Sequence, residues 1–253
     1  MAAGGGIDPI HQFEIKPIVG LRPFGLDLSF SNASLFMAIT VAVISAIMIY
    51  GSSQRSVVPG RLQSLAEMIY EFVASTVTGV MGKEGMTFFP FVFSLFMFVL
   101  TANMLGMIPG SFTVTSHIIV TTGLAVLVIS VVLIYGIVRH GSHFFGLFVP
   151  SGAPGWLIPF MVLIEVVSFA SRPVSLALRL FGNMLAGHIG LKVFGGFVVM
   201  LTAQISIFSV LAPLPLMLAV ALTALEFLVA FLQAYVFAIL ACVYLNDALH
   251  PGH

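Results

Sequence analysis

From Thr87 to Val138 the chain carries no Asp, Glu, Lys or Arg. A stretch that long without charge has to find an apolar surrounding along its whole length. Soluble domains are about one-quarter charged residues, whereas charged residues make up 7% of these 253 and hydrophobic ones 60%. With a mean hydropathy of +1.16, such a chain would not stay dispersed in water. The bilayer is its natural solvent, and about 20 apolar residues cross a ~30 Å hydrocarbon core. The charge-free stretch breaks at Gly106-Met107-Ile108-Pro109-Gly110, a turn signal. It therefore predicts two spans, 87–107 and 117–138, joined as a hairpin, with Arg139, His140 and His143 ending the second at an interface.

The remaining segments follow the same logic. Residues 1–30 form a polar N-terminal segment, without the basic and apolar pattern of a secretory leader. A span is predicted over 33–52, introduced by Ser31 and Asn32 as helix caps. Over 60–82, Arg61, Glu67 and Glu71 alternate with Leu62, Leu65, Met68, Ile69, Phe72 and Val73 at helical spacing, which predicts an amphipathic helix at the membrane surface. Two long apolar segments, 155–192 and 198–248, close the chain. A continuous helix over 155–192 would measure roughly 57 Å, so it has to tilt, kink or run partly along the interface. Pro173 is the expected kink, and Pro213 and Pro215 are expected to interrupt the final segment. The expected fold is an all-α polytopic membrane protein in one integral membrane domain. It has about five membrane helices plus the interfacial helix, the last two long and strongly tilted. Arg55, Arg61, Lys83 and Arg139 fall on one side and Lys16, Arg22 and Lys192 on the other. That count favours an outside N-terminus and a cytoplasmic or matrix C-terminus.

Several function classes drop out. Lys plus Arg and Asp plus Glu are nine each, so no net charge points to nucleic acid. The single cysteine, Cys242, cannot form an internal disulfide and reads as a small buried side chain. The chain has no His-Glu-x-x-His motif, and Gly79 to Lys83 lacks the spacing of a phosphate-binding loop. Neither a metal nor a cofactor is expected.

Five ionisable residues nevertheless fall inside apolar segments: Glu165, Arg172, Arg179, His188 and Glu226. A charge at the centre of a membrane helix costs about 2.5–3.5 kcal/mol on insertion scales, so such residues read as functional by default. Glu165, Arg172 and Arg179 recur every seven positions and share one helix face, drifting only ~20° per step. His188 follows Arg179 by about 13.5 Å of helix rise, with Asn183 between them. Glu226 and Gln233, again seven apart, share a face of the last segment. Arg keeps its proton at any relevant pH, so it can act as a fixed positive barrier but not as a carrier. His and Glu titrate near pH 6.5 and 4.3 and can pass protons. A fixed cation between two titratable clusters separates two aqueous pockets that must not leak into each other. Blander readings stand beside this one: Glu165 and Arg172 as a structural ion pair, Arg172 snorkelling to an interface, and His188 as a structural histidine.

The segment Ser175-Leu-Ala-Leu-Arg179-Leu-Phe-Gly-Asn183-Met-Leu-Ala-Gly-His188 resembles the signature of the F-type ATP synthase subunit a family. The resemblance extends through Asn103-Met-Leu-Gly-Met-Ile-Pro109 and Glu226 to Gln233, roughly 30–248. The start, Asp8-Pro-Ile-His-Gln-Phe-Glu-Ile, is similar to alphaproteobacterial members. The resemblance implies that Arg179 faces a ring of small proteolipid c subunits. It further implies that His188 and Glu226 serve an outer half-channel, that Glu165 lies near the inner one, and that Asn183 and Gln233 are polar residues beside the arginine. Many bacterial members carry an acid where this chain has His188 and a histidine where it has Glu226, a swap shared with mitochondrial-type members. Peripheral-stalk b subunits, other synthase subunits and lipid are the further partners implied. The implied place is the bacterial inner membrane, or alternatively the mitochondrial one.

The implied activity is proton conduction coupled to ATP synthesis, with no catalytic chemistry in this chain. The rival is a self-contained secondary transporter, which would place its site between broken helices and often shows internal repeats; none is visible here. A membrane enzyme would need a nucleophile–base or metal constellation, and the sequence offers none.

Overall fold

The computed structural model describes residues 13–20, 29–53, 58–108, 110–141, 144, 146, 156–203 and 211–250. Pro109, Arg22, Arg55, His143 and the first twelve residues, all used in the reading above, lie outside the described residues. Six α-helices dominate: α1 Asn32–Ser53, α2 Arg61–Met81, α3 Phe89–Gly106, α4 Ile118–His140, α5 Ile158–Ala203 and α6 Pro213–Leu249. Five helical segments are long and apolar enough to cross a membrane, and α2 is not among them. The chain is an all-α polytopic membrane protein.

α2 carries its charges on one side and buries Ala66, Val73, Val77 and Met81 on the other. That stripe lets it lie against the bundle while Glu67 and Glu71 stay in contact with polar surroundings. Phe72 anchors it, meeting Phe96 of α3 and Phe231 and Tyr235 of α6.

The two long helices are present with other bounds than the expected 155–192 and 198–248. α5 runs unbroken through Pro173. It also continues to Ala203, past the expected end of the segment at 192. Some 46 residues at 1.5 Å each give a rod of about 69 Å, too long to stand upright in a bilayer. The segment 198–248 is divided as its prolines suggest: 198–203 belong to α5, and α6 begins at Pro213. Pro213 and Pro215 occupy the first turn of α6, where a missing N–H costs nothing.

Helix neighbours are decided by small side chains. Ala230, Ala234, Ala238, Ala241 and Ala248 form the buried stripe of α6, and such small residues let backbones approach closely. α6 sits in that way between α3 and α5. α3 and α4, consecutive in sequence, each find their main partner elsewhere: α3 on α6 and α4 on α5. The core gathers Val92, Val99, Val128, Leu176, Leu180 and Phe237.

The polar N-terminal segment is partly ordered as a short antiparallel pair, Pro17–Val19 with Phe30–Ser31. Ser31 Oγ accepts from the Ser34 N–H at 3.4 Å and so caps α1. Asn32 does something else: its Nδ2 donates to the Glu14 carbonyl at 2.9 Å and its Oδ1 accepts from the Lys16 N–H at 3.1 Å. The segment is strapped by that side chain to the start of α1.

Candidate functional site

α5 and α6 run antiparallel, and every ionisable residue singled out within the apolar segments stands on one of them. Three cross-helix contacts order the site: Arg172 with Asp247, Asn183 with Gln233, and His188 with Glu226. Numbers rising along α5 meet numbers falling along α6, so these contacts are successive rungs of one ladder.

At the first rung, Arg172 Nη1 donates to Asp247 Oδ2 at 2.6 Å, and Nη2 stands 3.8 Å from Glu165 Oε1. Its guanidinium also lies over Tyr244 at 5.2 Å and Phe169 at 5.4 Å. A planar cation held by two carboxylates and two rings is positioned rather than snorkelling. Sequence reasoning missed Asp247 because it sits at the end of the last helix. A signal was present: Glu226, Gln233 and Asp247 are separated by seven and then fourteen residues, whole heptads on one helix face.

Arg179 lies one heptad further along α5 and is exposed. Among the described residues it has neither an ion-pair nor a hydrogen-bond partner. Around it the same face presents Ser175, Gly182, Asn183 and Ala186, also exposed. An unpaired guanidinium in an apolar helix, ringed by small side chains, leaves room for another backbone to come close.

At the second rung, Asn183 Nδ2 donates to Gln233 Oε1 at 2.9 Å. Gln233 is buried, and its Nε2 has no partner among the described residues.

At the third rung, His188 is 7% exposed and Glu226 4%, so both are withdrawn from the apolar exterior. His188 Nε2 lies 3.0 Å from the Gly106 carbonyl. A carbonyl can only accept, so Nε2 carries a hydrogen. His188 Nδ1 then faces Glu226 Oε1 directly. That contact is attractive when the two groups share one proton, as imidazolium with carboxylate or as imidazole with carboxylic acid. These states have equal net charge, so shifting the proton inside the pair moves no net charge into the apolar interior. Glu226 Oε2 is buried and has no hydrogen-bond partner among the described residues, leaving one acceptor of the pair open.

One glycine leaves room for the pair itself and another for the turn behind it. A Cβ at Gly187 would stand 2.5 Å from Glu226 Oε1, and one at Gly106 would stand 2.7 Å from Thr113 Cγ2. Behind them, buried Asn103 accepts from Thr115 Oγ1 at 2.7 Å and donates to the Ala230 carbonyl at 3.3 Å, which fixes α3 against α6. Phe13 of the N-terminal segment stacks near His188 with centroids 6.4 Å apart. Neither Gly187 nor Phe13 carries a functional signal in sequence; only the fold places them.

The ladder therefore holds a carboxylate–guanidinium cluster at one end, a titratable imidazole–carboxylate pair at the other, and an open arginine between them. Among the described residues, no group of three or more His, Cys, Asp or Glu side chains is placed to hold a metal ion.

Comparison with known proteins gives a consistent result. The family model described as ATP synthase A chain matches residues 34–246. A protein of Beijerinckia indica subsp. indica named ATP synthase subunit a is 59% identical over 253 residues, covering all of both chains. Its namesake from Rhizobium etli is 62% identical over 245 residues, covering 97% of this chain and 98% of that one. One from Agrobacterium fabrum is 60% identical over 246 residues, covering 97% and 99%.

Proposed function

The chain belongs to the ATP synthase A chain family, and from that premise we propose that its α5–α6 ladder is the proton path of a rotary F-type ATP synthase. The chain is the proton-conducting stator subunit of that complex. It couples proton flow to ATP synthesis through two offset half-channels. The self-contained transporter is set aside, because relatives matching nearly the full length carry the synthase subunit's name.

In this reading the face around Arg179 meets a ring of proteolipid subunits. A proton reaches the His188–Glu226 pair from outside and neutralises a carboxylate on the ring. The neutral site travels through lipid and discharges near Glu165, Arg172 and Asp247 on the opposite side. Asn183 and Gln233 keep the ground between arginine and pair polar yet uncharged. Each charge crossing is worth about 2.3 kcal/mol per 100 mV, so several crossings are needed per ATP. No covalent step falls to this chain. The amphipathic α2 and its exposed acids suit the peripheral-stalk b subunits, and the bacterial inner membrane is the setting.

The observation that carries the proposal is Arg179 itself, exposed and without a partner among the described residues, between two titratable clusters. A fixed cation there attracts an ionised ring carboxylate and blocks direct passage between the pockets. Arg179→Ala should abolish ATP-driven proton pumping by the assembled complex in membrane vesicles. Normal coupled pumping by a fully assembled Arg179→Ala complex would remove the proposal.

A further inference from the structure

Past the C-terminal end of α3 the chain folds back on that helix, and its hydroxyl side chains take up the carbonyls there. Ser111 Oγ donates to the Leu105 carbonyl at 2.6 Å, and Thr113 Oγ1 to the Gly106 carbonyl at 3.2 Å. Ser116 Oγ donates to the Thr113 carbonyl at 2.6 Å and closes the turn. A helix end leaves its last carbonyls without an intrahelical donor, so hydroxyls suit this place. Thr115 differs from its neighbours. It is fully buried, and it donates to a side chain instead of a carbonyl, reaching Asn103 Oδ1 at 2.7 Å. On the reading of His188 and Glu226 as part of the proton path, we propose that Thr115 is a positioning residue for that pair. Its hydroxyl locks the Asn103 amide, and the amide holds α6 at the turn that follows Glu226.

The orientation of the amide follows from its two partners. The Ala230 carbonyl, 3.3 Å away, can only accept, so the amide Nδ2 faces it and Oδ1 faces Thr115. Asn103 is itself fully buried. Without the Thr115 hydroxyl, its Oδ1 would be a buried acceptor lacking a donor. Turning the amide over is no remedy, because that sets Oδ1 against the Ala230 carbonyl. The bond matters because of where it lands. Ala230 stands one helical turn after Glu226, and in an α-helix its N–H bonds back to the Glu226 carbonyl. Asn103 and Gly106, three positions apart, are neighbours on the surface of α3, and the Gly106 carbonyl receives His188 Nε2 at 3.0 Å. α3 therefore registers both members of the pair, α5 through Gly106 and α6 through Asn103. Loosening the second tie while the first holds misaligns the contact of His188 Nδ1 with Glu226 Oε1, and proton transfer needs the two groups within hydrogen-bond reach. Among the described residues Thr115 bonds to neither member, so it works through the amide.

The test is ATP-driven proton pumping in vesicles holding the whole complex, expressed per assembled complex. Thr115→Val keeps the shape and removes the hydroxyl. Pumping should fall by about tenfold, within the scale on which a slight misplacement of reacting groups acts. Thr115→Ser keeps the hydroxyl and should pump near the wild-type rate. In an Asn103→Leu background, Thr115→Val should cost nothing further, because no amide is left to orient. A threonine that only stabilises the turn would lower the yield or melting temperature of the complex and leave pumping per complex unchanged. That outcome, an equal loss in Thr115→Ser, or a full further loss in the Asn103→Leu background overturns the inference. If Thr115→Val alone does not assemble, the double variant decides. It should assemble, since replacing both partners by apolar groups orphans neither, and its failure to do so overturns the inference as well. Glu226→Gln separates the two levels. If it cripples pumping while Thr115→Val pumps normally, only the threonine's role fails. If it leaves pumping at the wild-type level, the proton-path reading of the pair fails and this inference with it.

Discussion

Arg172 on α5 and Asp247 on α6 meet at 2.6 Å although 75 positions separate them in sequence. Both side chains are largely withdrawn, 20% and 29% exposed, and Glu165 completes the cluster at 3.8 Å. The arginine is balanced by two carboxylates, one from its own helix and one from α6.

Asp247 should therefore be more than a helix-end residue. Asp247→Ala removes a charge-assisted hydrogen bond worth about 1.5–3 kcal/mol and should lower the thermal stability of the purified complex. Asp247→Asn keeps the shape and should lose less. Both should slow ATP synthesis at saturating ADP and phosphate, with Glu165→Gln in the same background lowering it further. Wild-type melting and synthesis in Asp247→Ala would show that the contact has neither role.

His188 and Glu226 should behave as one unit. His188 Nδ1 and Glu226 Oε1 are in direct contact, so removing either side chain changes what the other meets. His188→Ala and Glu226→Ala should each slow proton flux, and the double variant should cost clearly less than the two losses combined. The measurement is a double-mutant cycle on flux, with assembly verified for each variant. Strict additivity would assign the residues to separate steps.

The topology can be read chemically. Ser111 lies in the connection between α3 and α4, and Ser53 ends α1 on the opposite side of the membrane in the five-span reading. In the background of buried Cys242, a cysteine from Ser111→Cys should react with an impermeant maleimide added outside. One from Ser53→Cys should react only from the cytoplasm. Labelling of both from one side would require a different number of spans.

The amphipathic α2 was legible as a charge pattern, and the wall residues of the His188–Glu226 pair were not. Glu67 and Glu71 against Val73 and Val77 announce a one-sided helix in any fold. Gly187 and Phe13 announce nothing, because their importance is a distance to a residue on another element. Asp247 falls between: its heptad relation to Glu226 and Gln233 was visible, but its partner Arg172 was not. Pro173 shows how far a local rule reaches. A local rule places a break in the chain's course there, yet the helix itself continues on both sides of it as part of α5.

By itself the sequence determined the solvent and the inventory. A charge-free run too long for any soluble core commits the chain to a bilayer, and in a bilayer an unbarrelled chain must be helical to satisfy its own backbone. It also supplied the few ionisable residues whose insertion cost demands a use. Tertiary structure alone decided which of those residues meet. Helical periodicity fixes a face but not what the face opposes. The alanine stripe of α6 sets how closely α3 and α5 approach. That approach brings His188 and Glu226 into direct contact, gives Arg172 to Asp247, and leaves Arg179 exposed.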